Sequence, residues 1–282
     1  MVAIAVAGPA SATTFTVDSL SDDGDLAPGD NICDIPAGGP VQCSLRAAIE
    51  ESNARVGADV IEFGIGTVVI SVSGSPLPTI TDHLYIDGRT APGYNAAATD
   101  VLAAPPSVYI SGHTLAGTTA DGFRIDSNGR IAEIRAIGIV NFPDNGIELA
   151  DGVVELIDGN WIGVGRTGGI DGNGGHGVYL DTCDRCVVGQ EINRGTDSIE
   201  GIGNVISNNA GAGVYVLLGG GNVIAGNHIG VDPVSDGDHG NGAAGVHLVG
   251  AGNVVGDFSG AIDGVLQTPN TIKHNGGDGV RV

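Results

Sequence analysis

The chain has 282 residues, of which 50 are Gly, 12 are Pro and only 11 are aromatic (five Phe, five Tyr, one Trp). Glycine at this density melts most helices, so a helical bundle is excluded; collagen fails for want of a three-residue glycine period, and an apolar share of 41 % is too high for a disordered polymer. With 33 acidic against 11 basic side chains the net charge is −22, which argues against nucleic acid as a partner and disfavours anionic membrane surfaces, both of which are bound through basic groups. What remains is a β-rich chain with many tight turns. Asp suits such turns because its carboxylate accepts from nearby backbone N–H groups; divalent cations are the second reading of the acidic bias.

In chain order, Val2–Val6 is apolar and Ala10-Ser-Ala12 has the small-x-small form of a cleavage site, so residues 1–12 read as the remnant of a secretion signal, against the plainer reading of an N-terminal strand. Residues 13–58 read as an N-terminal cap: a strand at Phe15–Val17, an acidic loop from Ser21 to Asp34, and a helix over 44–53. Ser44 is placed to cap that helix, Leu45, Ala48 and Ile49 share one face, and Arg46 stands four residues before Glu50. Asp59–Phe63, Thr67–Ile70, Leu84–Ile86 and Val108–Ile110 read as the first strands of the body, residues 59–282. No stretch is long and apolar enough for a transmembrane helix. The cysteines fall in two close pairs, and Cys33–Cys43 with Cys183–Cys186 is the simplest of three disulfide pairings. Cys183-Asp-Arg-Cys186 could instead be a redox motif or half of a zinc site, but the redox motif lacks its βαβ context and the other cysteines are 140 positions away.

Self-similarity decides the fold. A Gly-apolar-x-apolar tetrad recurs at Gly122, Gly146, Gly177, Gly213, Gly245 and Gly279. A second anchor follows at Glu155-Leu-Ile, Cys186-Val-Val, Asn222-Val-Ile and Asn253-Val-Val; a third is Asn-x-Ile at Asn160, Asn204, Asn227 and Asn270. The shortest steps sum to 23 residues, and the longer units carry one insert each, alternately after the third and the second anchor. Three short strands per ~23 residues predict an all-β chain, a parallel β-helix whose coils stack at ~4.8 Å. Val and Ile then form inner ladders, Asn stacks at the bends, and the cap helix covers the open first coil. The chain stops at Val282 in mid-coil, so further coils, or another chain, are expected at that end. A β-sandwich is the alternative, but Gly159-Asn-Trp-Ile-Gly-Val164 recurring 67 residues later as Gly226-Asn-His-Ile-Gly-Val231 argues against it.

Cys43-Ser-Leu-Arg-Ala-Ala-Ile49 resembles the CSLREA motif at the N-terminus of secreted bacterial proteins, with Ala47-Ala48 where that name has Glu-Ala. Ile86-Asp-Gly-Arg-Thr-Ala-Pro-Gly-Tyr94 and the GNxI…GVxL units resemble the right-handed parallel β-helix repeats found next to that motif. The resemblance implies an exported or cell-surface bacterial protein of the pectin-lyase-like fold, which hosts lyases, hydrolases, epimerases, adhesins and phage spikes.

Several residues are candidates for chemistry. Gly175-His176-Gly177 matches one element of polygalacturonase-like hydrolases, but no Arg-x-Lys occurs; Lys273, the only lysine, is a candidate lyase base against the plainer reading of a solvated turn residue. Asp232, Asp236 and Asp238 lie in one corner insert and could offer oxygen ligands to Ca²⁺, as could the acidic loop Asp22–Asp34, without the order of an EF-hand loop. The third tetrad position must point outward if its neighbours point in, which puts Arg124, Glu148, Tyr179, Tyr215, His247 and Arg281 in one outer row. A Tyr-lined row suits sugar rings or another protein; alternatively Tyr is there as a good strand former. The expectation is a secreted or cell-surface scaffold of adhesin type, binding glycan or Ca²⁺. The rival is a carbohydrate-active enzyme, a polysaccharide lyase, epimerase or glycoside hydrolase, with its site in the corner inserts.

Overall fold

Strands as short as Trp161–Ile162 or His228–Ile229 have no stability of their own. In the computed structural model they are paired above and below by the equivalent strands of neighbouring coils. The structure describes residues 12–36, 41–115, 117, 119–126, 131–153, 155–193, 198–235, 237–256 and 268–282. The chain winds as a right-handed parallel β-helix of three all-parallel sheets. The first sheet stacks Thr14–Val17, Asp59–Phe63, Leu84–Asp87, Ala132–Arg135, Leu156–Asp158, Val187–Gly189, Val223–Ala225 and Val254–Val255. The second stacks Val68–Ser71, Val108–Ser111, Ile137–Val140, Trp161–Ile162, Val205–Ile206, His228–Ile229 and Thr271–Ile272. The third stacks Phe123–Asp126, Ile147–Val153, Val178–Asp184, Val214–Leu218, Val246–Leu248 and Val280–Arg281. The secretion-signal reading falls, except for Ala12, outside the described residues.

One β-branched or leucine side chain per coil fills each interior column. In the first sheet Ile61, Ile86, Ile134, Ile157, Val188 and Ile224 are in register, and all are at most 1 % exposed. Ile70, Ile110, Ile139, Ile162, Ile206 and Ile229 do the same in the second. Each such side chain contributes about 1.5–3 kcal/mol by leaving water.

The bends between sheets are built from amide ladders. Asn160 Nδ2 donates to Asn204 Oδ1 (3.1 Å), Asn204 to Asn227 (2.9 Å) and Asn227 to Asn270 (3.0 Å), joining the first sheet to the second. A ladder that sequence reading missed joins the second sheet to the third: Asn173 to Asn209, Asn209 to Asn241 and Asn241 to Asn275, each at 2.9 Å. Its signal was present, since each of these Asn stands four residues before a tetrad glycine. At the third bend Asn222 donates to Asn253 at 2.9 Å.

The cap helix, Leu45–Asn53, begins at Ser44, whose hydroxyl accepts the Ala47 N–H at 3.0 Å. The expected Arg46–Glu50 pairing does not form. Arg46 is buried beneath the acidic loop, where it pairs with Asp22 at 2.9 Å and donates to the carbonyls of Ser75 and Pro76. Glu50 turns to the loop backbone, accepting the Asp25 N–H at 2.7 Å, and Glu51 accepts from Gly29 and Asn31. The Cys33–Cys43 disulfide (Cα–Cα 5.2 Å) ties the loop to the helix start, and Cys183–Cys186 (6.1 Å) closes the bend between the third and first sheets.

One covering was not foreseen. Residues 88–107 carry two short 3₁₀ turns, Gly88–Thr90 and Val101–Ala103, and pack on the outer face of the second sheet. Val101 there meets Tyr109, Trp161 and Val205, and the Trp161 indole N–H donates to the Val101 carbonyl at 3.2 Å. Tyr109 lies so close on Gly138 that a Cβ at that position would stand 2.0 Å from its ring. The outer face of the second sheet is therefore largely occupied by the chain itself. The third sheet is the place to look for an open strand face.

Candidate aromatic and carboxyl face

Alternation places every second residue of a third-sheet strand outside, and parallel register then stacks equivalent positions. Arg124 faces Glu148, Glu148 faces Tyr179, Tyr179 faces Tyr215, Tyr215 faces His247 and His247 faces Arg281. The Tyr179 and Tyr215 ring centroids are 5.6 Å apart, and His247 meets Tyr215 edge-on at 4.8 Å. Beside this row runs a second column, the residue before each tetrad glycine: Asp121, Asn145, His176, Ala212 and Ala244. The small Ala212 leaves room for His176 to stack on Tyr215 at 4.6 Å with the planes 20° apart. The imidazole Nδ1 accepts the Ala212 N–H at 2.9 Å, and burial pushes its pKa below the usual histidine value. Both effects favour the neutral imidazole with its proton on Nε2.

The face is graded along the axis. At one end Leu218 and Val249 are more than half exposed beside Tyr215 and His247. At the other end are the carboxyls. Glu148 belongs to the outer row yet is only 8 % exposed, because Arg124 pairs with one carboxylate oxygen, the Asn145 amide approaches the other at 3.5 Å, and Asp121 is hydrogen-bonded to it. Asp121 also accepts the Asn145 N–H at 2.9 Å. Burial, the Glu148 contact and the nearby Asp144 carboxylate together push the Asp121 pKa up to about 7. Asp181 lies 3.5 Å from the Tyr179 hydroxyl. Asp121 and Asp144 escaped sequence reading because they precede the recurring tetrad rather than lie in it.

A raised carboxyl pKa means that the folded state holds a proton the unfolded chain has lost. That contribution to stability is present below the ordinary Asp value of 3.8 and is lost as pH rises through about 7. Asp121→Asn is therefore expected to narrow the difference in urea midpoint between about pH 5 and pH 8 relative to wild type. An unchanged difference would place Asp121 among ordinary carboxylates.

The other candidates are scattered. Lys273 lies in the same bend region as His176 but three coils away, ~14 Å at the inter-strand spacing, so the two do not form one catalytic group. It lines a cavity of about 470 Å³ with Leu102, His228, Thr271 and the Asp232–Ser235 turn. Asp232 is engaged in that turn, accepting the Val234 N–H at 2.8 Å and the Ser235 hydroxyl, which holds its carboxyl below the usual range. Asp238 accepts the Gly240 N–H at 3.1 Å, and Asp236 lies outside the described residues. In the acidic loop Asp22 is held by Arg46, while Asp25 and Asp30 accept from Ala27 and Ile32. Among the described residues no three His, Cys, Asp or Glu side chains converge as metal ligands, and no helix is long and apolar enough to cross a membrane. A scan against protein-family models finds none that matches the sequence, and a search of curated proteins finds no match either.

Proposed function

We propose that the chain is an exported β-helix scaffold of adhesin type that binds a polysaccharide along the outer face of its third sheet. The observation that carries this reading is the register-stacked row Tyr179–Tyr215–His247 with His176 beside it. A ring recurs once per coil over three coils, at differing tilts, a step of ~4.8 Å that is comparable with one pyranose unit of an extended glycan, so successive sugars can meet successive rings. Tyr supplies apolar contact area and a hydroxyl at low conformational cost. The resemblance of Cys43–Ile49 to the CSLREA motif, the small-residue segment near Ala12 and the two disulfides support export.

Tyr179→Ala combined with Tyr215→Ala tests the reading. Both side chains point out of the core, so unfolding is expected to shift by about 1 kcal/mol or less. Glycan affinity, read on a panel of polysaccharides, is expected to fall at least tenfold, about 1.4 kcal/mol. An unaltered isotherm for a ligand that wild type binds would retire the face.

Catalysis is the second reading, favoured by the proton-sharing pair Asp121 and Glu148. Its geometry suits glycoside hydrolysis poorly. The two carboxyls touch each other, whereas a glycosidase needs its pair ~5 Å or more apart to flank the scissile bond. Binding is the reading that the face supports better.

A further inference from the structure

We infer that the sugar recognised on this face carries amino groups, as a partly or fully deacetylated hexosamine polymer does. The inference rests on the glycan-binding reading and names the ligand class. The aromatic row provides ring faces, and an alkylammonium over a ring face is attracted by its quadrupole. The groups flanking the row supply charge of the complementary sign. Asp121, Glu148, Asp144 and Asp181 are four carboxyl groups, and among the residues described around them the cation is Arg124, which is engaged by Glu148. His176, whose Nδ1 accepts the Ala212 N–H, is held toward its neutral form by burial.

Asp121 keeps its proton far above the ordinary Asp range, first through burial and then through the Glu148 contact and charge, with a smaller push from Asp144. An ammonium brought to the row would relieve that repulsion and release the shared proton. A uronate would worsen it, and the −22 charge of the whole chain points the same way. A neutral sugar could use the rings but would leave the charges untouched.

The test compares the β-1,4-glucosamine hexamer with its fully N-acetylated counterpart by calorimetry at about pH 6, in two buffers of different ionisation enthalpy. The amino oligomer is expected to bind at least tenfold more tightly and to release more protons from wild type than from Asp121→Asn, the difference being the Asp121 proton. Asp144→Asn and Asp121→Asn, each checked by its melting curve, are expected to weaken the amino oligomer at least fivefold and to leave the acetylated one within twofold. Asp121→Asn retains an acceptor for the Asn145 N–H, and Asp144 is half-buried, so one variant reports even if the other folds poorly. Equal affinity for the two oligomers overturns the amine preference and leaves the glycan face standing. If neither oligomer binds, the inference falls, and the glycan reading falls with it only if the wider panel of neutral polysaccharides is also refused.

Discussion

Arg46→Ala is expected to destabilise the N-terminal cap by about 3–5 kcal/mol, the range for breaking a buried ion pair on one side only. The guanidinium and its partner Asp22 are 9 % and 6 % exposed in their side chains. Arg46 Nε donates to both the carbonyl and the carboxylate of Asp22, and its two terminal nitrogens reach the carbonyls of Ser75 and Pro76. Truncation strands a buried carboxylate and removes the donor that ties the Ser75 and Pro76 carbonyls to the helix. Because Asp22 also accepts the Ser73 N–H at 2.7 Å, the same lesion loosens the bond between the acidic loop and the first coils. Arg46→Ala combined with Asp22→Asn should cost less than Arg46→Ala alone, since the stranded charge is gone. Urea unfolding followed at the cap, by hydrogen exchange of the helix amides, is the measurement. A loss below about 1 kcal/mol would mean that water reaches Asp22.

Asn204→Ala is expected to cost about 3–5 kcal/mol, while Asn253→Ala, near the rim of its own ladder, should cost clearly less. Asn204 is fully buried. Its Oδ1 accepts from both the backbone and the side-chain nitrogen of Asn160, and its Nδ2 donates to the Ile157 carbonyl at 2.8 Å and to Asn227. Removal orphans two donors and a carbonyl at ~1–3 kcal/mol each and leaves a small cavity. Asn204→Asp should be nearly as damaging, because an ionised carboxylate cannot donate to Ile157. A solenoid is stabilised coil by coil, so exchange protection should fall first in the coils around residues 157–229 rather than uniformly. Uniform loss would indicate a single cooperative unit and a different role for the ladder.

The inside of the solenoid was legible in the sequence because it obeys a translational rule. Each coil must place an apolar side chain above an apolar side chain and an amide above an amide, so Ile157, Val188 and Ile224, or Asn204, Asn227 and Asn270, reappear at regular steps once the inserts are set aside. The same rule puts Tyr179 over Tyr215 from the sequence alone, since alternation along a strand is a property of the backbone.

Tertiary structure alone decided the contacts that obey no period. Arg46 meets Asp22 across 24 positions, although Glu50 stands one helical turn away, because the loop that buries Arg46 is held in place by Glu50 and Glu51. Residues 88–107 are folded onto the second sheet by Val101, an insert residue with no register partner, which packs on Tyr109 and Trp161 of one outward column. Glu148 occupies an outward position and is buried all the same, while Asp121, outside the strand pattern, becomes its proton-sharing partner. A repeat specifies contacts between equivalent positions, and each of these contacts joins non-equivalent ones, so only the packed chain could bring them together.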